Sequence, residues 1–344
     1  MPEHEDPTPA TPGETAPAAP PKRPRRPLAL LLCLLAGLLL GVGVPEGVDR
    51  ARGDEADAYC WGALSLDDLV DTLSRETNDL TVAHGETPLS GYHAECRVVL
   101  GEEFKKQLTV TVGPIDDYDV DGTWAREFLH PHLLPYAGAP VGLGGQTRAW
   151  VKLAPDCRPA QGTGEARARV VSVHAQGRYL QPERDAVARA ALLVTNAVLD
   201  DHGCLGSYPT DGAPLLTEEP SGSEYSGDGD EFCDTGTPSP DWLPRSTAGP
   251  TGGPFRICSG DPDDGEQRFR VLTVQDPDFE GPFRYAEEYQ RHPVVGLECG
   301  DRTVWVMAQG RHLSRRDAEE IDLPALLRIY ATTEAERLGC RPPA

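Results

Sequence analysis

Two acidic turns in the sequence have the residue order of a calcium-binding loop, in which alternating carboxylates precede a glycine. The carboxylates are Asp117, Asp119 and Asp121 in the first turn and Asp276, Asp278 and Glu280 in the second. Oxygens at alternate positions converge on one ion, and the glycine permits the sharp turn. The second turn has Glu287 at the twelfth position, where a bidentate carboxylate completes such a loop, whereas the first has Phe128. Because a chain with 55 acidic residues forms solvated acidic turns readily, no metal ligand is assigned.

Other reactive side chains lack the neighbours that their chemistry requires. His130 and His132 offer two metal ligands, but no third histidine or cysteine stands at a metal-site spacing. The glycine-rich stretch 142–145 has neither the preceding strand nor the following helix of a phosphate-binding loop. The sequence contains no G-x-S-x-G, H-E-x-x-H or S-x-x-K motif. It therefore predicts no catalytic, cofactor-binding or metal-binding residue and no cofactor.

Eight cysteines beyond residue 58 fall into two sets of four, one in each half of the chain. They are Cys60, Cys96, Cys157 and Cys204, then Cys233, Cys258, Cys299 and Cys340. None has the C-x-x-C spacing of a zinc or redox site, and an even count in an exported chain indicates structural disulfides. From Cys157 a strand leads away and a helix of similar length returns, which predicts a bridge from Cys157 to Cys204. The same path in the second half predicts a bridge from Cys299 to Cys340. The cysteines that remain in each half then pair with each other, as Cys60–Cys96 and Cys233–Cys258.

Hydrophobic periodicity predicts the elements that position these cysteines. In the first half it predicts a helix from Leu66 and a long helix near 182–201, with strands at 96–100, 107–112, 149–153 and 169–175. In the second half it predicts strands at 256–258, 269–274, 294–297 and 303–308 and a helix at 323–338. Each half is therefore expected to form a sheet of about four strands with its long helix on one face.

One stretch of sequence recurs in both halves. VSVHAQGRYL (171–180) and VWVMAQGRHL (304–313) are identical at seven of ten positions, which indicates internal duplication. His174 is replaced by Met307 in the second copy, so we predict that it is a packing position. The repeated Gln-Gly-Arg, at 176–178 and 309–311, is interpreted as a strand-to-helix turn rather than a binding site.

A hydrophobic segment precedes both halves. Residues 28–44 are seventeen apolar or small residues, and the basic residues just before them predict a transmembrane helix with a cytoplasmic N-terminus. The following chain would then lie outside the cell, at the plasma membrane. A cleaved secretory signal is the alternative, although the small-x-small pattern at Ala56-Asp57-Ala58 lies far beyond the apolar run.

Composition divides the chain further and gives its expected fold class. We predict an α+β protein with two related domains, each a small antiparallel sheet with a long C-terminal helix packed on one face. The predicted segments are a disordered proline-rich tail at 1–27, the membrane helix at 28–44, a juxtamembrane linker at 45–58, the first domain at 59–204, a linker at 205–230 and a trimmed second domain at 231–344.

The membrane segment, the proline-rich basic tail, the C-W-G-x-L start at Cys60 and the helices that end in Gly-Cys resemble a loose group of actinobacterial envelope proteins. That group is membrane-anchored or lipoprotein-like, with a disulfide-bonded ectodomain, and it is uncharacterised. The resemblance implies a surface location and an α+β domain. It carries over no catalytic residue.

The net charge of −23 repels phosphate backbones and argues against nucleic acid as a partner. The expected function is a non-enzymatic envelope protein that binds or scaffolds a partner, which is an envelope protein or a small ligand. A carrier of a small apolar ligand between sheet and helix is one alternative. An enzyme without a recognisable motif is the other.

Overall fold

A computed structural model describes residues 58–343, apart from short gaps and longer ones at 74–81, 102–105, 116–127, 158–167, 218–230, 262–268 and 311–321. In this part the chain forms two antiparallel sheets and four α-helices. The helices are α1 (Leu66–Leu73), α2 (Ala186–Asp201), α3 (Glu280–Glu288) and α4 (Leu323–Leu338). The first seven strands are β1 (Val82–Glu86), β2 (Ala94–Leu100), β3 (Lys106–Pro114), β4 (Leu134–Pro135), β5 (Gly142–Gly144), β6 (Arg148–Lys152) and β7 (Arg169–Gln176). The other five are β8 (Arg245–Ala248), β9 (Phe255–Asp261), β10 (Phe269–Val274), β11 (Val294–Cys299) and β12 (Arg302–Gly310).

The first sheet has the strand order β1-β2-β3-β7-β6-β5-β4, and the second has the order β11-β12-β10-β9-β8. The predicted α+β class is confirmed, with all pairings antiparallel. Both sheets are larger than the four strands expected. The additional strands β1, β4, β5 and β8 are two to five residues long and lack a run of alternating apolar residues, so periodicity could not find them.

One face of each sheet packs against a long helix. Alternate residues of β3 and β7, such as Val110 and Val173, join Val194 of α2 in one buried cluster. In the second sheet Val271 and Val306 join Leu327 of α4 in another. Because side chains alternate along a strand, the intervening residues of both sheets point away from these helices.

The opposite faces of the two sheets pack against each other over part of their area. The Trp150 ring of β6 lies 5.6 Å from the Phe255 ring of β9 and 5.3 Å from the Phe279 ring, centroid to centroid. Leu143 and Met307 belong to the same buried cluster. The layers therefore follow the order helix, sheet, sheet, helix.

Four disulfide bonds are present, and the prediction of disulfide bonds is confirmed. They join Cys60 to Cys96, Cys157 to Cys204, Cys233 to Cys258 and Cys299 to Cys340, the pairs expected from the sequence. One disulfide in each half joins a loop to a strand, at Cys96 of β2 in the first sheet and at Cys258 of β9 in the second. The other disulfide joins the end of the long helix to the sheet. In the first half it reaches Cys157, just after β6, and in the second half it reaches Cys299 at the end of β11.

Part of the segment predicted as a linker, 205–230, packs against the first sheet. Leu216 is 2% exposed, and its backbone pairs with that of Tyr136 in an isolated antiparallel β-bridge. The segment packs here because the apolar pair Leu215-Leu216 has a hydrophobic face to bury. The predicted tail, membrane segment and juxtamembrane linker up to residue 57 lie outside the described residues. No helix in the described part is long and apolar enough to cross a membrane.

Candidate functional site

The first sheet has a region on its helix-free face where polar side chains replace the apolar ones that meet the second sheet. We call this region the polar face and define it by residues of β2, β3, β6 and β7. Its members are Glu95, Arg97, Gln107, Thr109, Thr111, Arg148, Ser172, His174 and Gln176, and all are partly or fully exposed. Each alternates with a buried residue of the helix-side core, as an amphipathic strand requires.

Cross-strand register places four of these side chains in one row. Arg97 is opposite Thr109, Thr109 is opposite His174, and His174 is opposite Arg148. Directly opposite residues share a face of the sheet. With neighbouring strands about 4.8 Å apart, the row extends roughly 14 Å from one guanidinium-bearing residue to the other.

Hydrogen bonds within the polar face orient its side chains. The Gln107 amide donates to Thr109 Oγ1 at 2.8 Å, so the Thr109 hydroxyl hydrogen is left to donate elsewhere. Thr111 Oγ1 and Ser172 Oγ are 2.6 Å apart and share a hydrogen bond. The result is a surface of positioned hydroxyl, amide and imidazole groups.

His174 is a neutral hydrogen-bond donor on this surface. Partial burial and then the nearby Arg148 charge lower its pKa to about 4, so the imidazole is uncharged at neutral pH. The Gln176 amide nitrogen, which can only donate, lies 3.0 Å from His174 Nδ1. The ring proton is therefore on Nε2. The sequence predicted a packing position at His174; its side chain is only partly buried, whereas its counterpart Met307 is fully buried in the cluster between the sheets.

The second acidic turn holds a lysine ammonium in the position that the calcium interpretation gives to a metal ion. Lys152 Nζ donates to Asp276 Oδ2 at 2.5 Å and to Asp278 Oδ2 at 2.7 Å. Glu280 pairs instead with Arg284. The Glu287 side chain and the first turn, with Asp117, Asp119 and Asp121, lie outside the described residues.

Among the described residues, one group combines three side chains of metal-ligand type within reach of one another, namely His84, Glu86 and Cys96. Cys96 Sγ is bonded to Cys60 and cannot ligate. Glu86 Oε2 accepts from the Trp61 backbone at 2.7 Å and lies 3.2 Å from His84 Nε2. This group holds the loop around Cys60 in place.

A cavity lies between the two sheets. It is lined by Leu129, Leu133, Leu143, Ile257, Arg270, Leu272, Met307 and Gln309. Its interior has room for about one water molecule, far below the several hundred Å³ typical of ligand pockets. The apolar-carrier alternative expects a cavity between sheet and helix, which is a different place.

A buried ionic network joins α4 to the second sheet. The Glu334 side chain is 1% exposed and pairs with Arg256, which is 6% exposed. Arg337 donates to both Glu334 oxygens, at 3.0 and 2.6 Å. The Thr273 hydroxyl donates to the Tyr330 oxygen at 3.2 Å, and burial raises the Tyr330 pKa to about 12. Since the Glu334 carboxylate is occupied by these partners, the network is structural.

The remaining sequence predictions have simple outcomes. The stretch 142–145 contributes strand β5. Gly142 lies so close to β6 that a Cβ there would collide with the Trp150 carbonyl oxygen. Gln176 and Gln309 lie at the ends of β7 and β12, while Arg178, Arg311, His130 and His132 are outside the described residues. All eight predicted cysteines are consumed in disulfides. The sequence analysis did not predict the polar face. Alternating polar residues indicated it, as Gln-x-Thr-x-Thr at 107–111 and Ser-x-His-x-Gln at 172–176.

Comparison with known proteins gives no further assignment. No protein-family model, no curated protein and no solved structure matches this chain. The functional argument therefore rests on the geometry.

Proposed function

We propose that the protein is a non-enzymatic envelope protein that binds or scaffolds a partner, and that the polar face is its binding surface. The observation that carries the proposal is the cross-strand row from Arg97 to Arg148, in which positioned donors lie on a rigid sheet. A binding surface of this kind presents hydrogen-bonding groups without the desolvation cost of a closed pocket. The net charge of −23 still disfavours nucleic acid.

The proposal includes the compartment. Residues 28–44 would anchor the chain in the plasma membrane, with the tail 1–27 in the cytoplasm and the disulfide-bonded part outside. Four disulfides support this location, since such bonds persist in oxidising compartments.

The proposal also includes internal duplication. The strand order β1-β2-β3-β7-β6 has the same sequence of connections as β8-β9-β10-β12-β11. The bridges occupy corresponding places in both sheets, which supports two copies at 59–204 and 231–344 that diverged at their opening segments.

The test is retention of envelope components by the immobilised full chain. Thr109→Arg places a long side chain in the centre of the row, and Thr332→Arg makes the same change on α4, far from the polar face. We expect Thr109→Arg to reduce the retained partner at least tenfold and Thr332→Arg to leave it unchanged. Equal retention by both variants would remove the polar face as the binding surface.

A further inference from the structure

The two sheets are connected by a nearly dry ion pair. Lys152 is the last residue of β6 in the first sheet, and its side chain is 10% exposed. Its partner Asp276 follows β10 of the second sheet and is 8% exposed, while Asp278 is 34% exposed. The pair therefore joins residues 124 positions apart in sequence.

Close to this pair in sequence, aromatic side chains pack between the two sheets. Trp150, two residues before Lys152, contacts Phe255 and Phe279 of the opposite half. Asp276 Oδ1 also accepts a hydrogen bond from the Asp278 backbone N–H at 3.0 Å, which fixes the Asp276 carboxylate. Burial opposes the charge on Lys152, yet its hydrogen bonds to the two aspartates outweigh that cost and raise its pKa.

We propose that Lys152, Asp276 and Asp278 form a lock that makes the two sheets one rigid, cooperative unit. Each sheet has its own helix-side core, and neither of these cores couples one sheet to the other. The lock adds to the apolar cluster between the sheets, because separating the sheets would leave one ammonium and two carboxylates without partners beside exposed aromatic rings. Both sheets belong to one compact unit, Asp57–Ala344.

The experiment is peptide-resolved hydrogen exchange on the full chain. Amides of β3 and β7 report the first sheet, and amides of β10 and β12 report the second. In the unmodified protein we expect the slowest amides of both sheets to open with the same equilibrium constant. Lys152→Met should raise that constant on the order of 100-fold or more in both sheets alike.

Arg341→Met is the matched control. It also removes a cation from a carboxylate 2.5 Å away, but Arg341 and Glu298 are 77% and 67% exposed. We expect a change of less than about 5-fold, as for other surface pairs. The double variant Lys152→Met/Asp276→Asn removes one unpaired carboxylate and keeps the hydrogen bond from the Asp278 backbone. Slower exchange in this double variant than in Lys152→Met alone would support the lock.

Two results would overturn the proposal. One is acceleration in the first sheet with unchanged exchange in the second, which means that the sheets open independently. The other is a Lys152→Met effect no larger than the Arg341→Met effect. Should Lys152→Met fail to fold, a urea series on the unmodified protein decides instead, because different midpoints for the two sheets contradict one cooperative unit.

Discussion

The two sheets have corresponding strand orders and bridges but opposite chemistry beneath their helices. In the second sheet, the layer between strands and helix contains Arg256, Thr273, Tyr330 and Glu334, all buried. Spacing from the bridged cysteines and cross-strand register give the corresponding positions of the first sheet. They are Ala94, Val112, Val194 and Val198, each 0% exposed. The same arrangement of strands and helix therefore accommodates an ionic layer in one sheet and an apolar layer in the other.

The difference shows that this arrangement requires a well-packed layer in which every buried polar group has a partner. It does not require one particular type of interaction. An apolar layer gains stability from burial. A buried ion pair must first repay the desolvation of both charges, and it does so only while every partner is in place. The second sheet should therefore be the more fragile of the two to single substitutions.

Removal of the central carboxylate tests this fragility and has the largest expected effect. Glu334→Ala leaves Arg256 buried without its main partner, so we expect the free energy of unfolding to fall by about 3–5 kcal/mol. Val198→Ala at the corresponding position should cost about 2 kcal/mol, since it removes only methyl groups. Urea unfolding of both variants measures the contrast, and equal losses would remove the distinction between the two layers.

The helix-end bridges should show where the two sheets are alike. Replacing Cys157 and Cys204, or Cys299 and Cys340, with alanine pairs should each cost about 2–4 kcal/mol. The bridged residues are 47 and 41 positions apart, a difference that changes the loop entropy by only about 0.1 kcal/mol. Denaturant titration of the two double variants should therefore give the same loss. A bridge whose removal costs nothing would break the correspondence.

Substitutions at the corresponding positions His174 and Met307 should have the smallest effect on stability, and only the effect at His174 should depend on pH. The pKa of His174 is lowered to about 4 in the folded state, so folding favours the neutral ring. Its contribution to stability is complete above the unfolded pKa of about 6.5 and is lost as pH falls toward 4. His174→Gln should therefore reduce the acid sensitivity of unfolding by about 1–2 kcal/mol after allowance for solvent screening.

Two measurements check this prediction. Proton NMR should give a His174 titration midpoint near 4, and Met307→Leu should leave the pH dependence of stability unchanged. A His174 midpoint near 6.5 would contradict the assignment of the ring to a partly buried site beside Arg148.

The sequence predicted the long elements well. The helix predicted at 323–338 is α4 itself, and strands near Cys96, Val110 and Val173 were found within two residues of their observed ends. These segments are long enough for hydrophobic periodicity to identify them. Strand β1 was missed because VAHGE has almost no apolar face, and α3 was missed because the acidic turn before it was interpreted as a loop.

The candidate site was predicted poorly for a different reason. Alternation at 107–111 and 172–176 shows which residues share a face, but not whether that face meets solvent or another sheet. His174 and Met307 stand at the same place in the repeated stretch, and only sheet-on-sheet packing made one partly exposed and the other buried.

The sequence by itself therefore determined the α+β class, the long helices and strands, and the cysteines available for bridging, because these depend on local periodicity and on chain paths of limited length. Tertiary structure decided that Lys152 meets Asp276, that Trp150 is covered and that the row from Arg97 to Arg148 is not. Contacts between residues more than a hundred positions apart depend on how two finished sheets pack, and no local pattern encodes that arrangement.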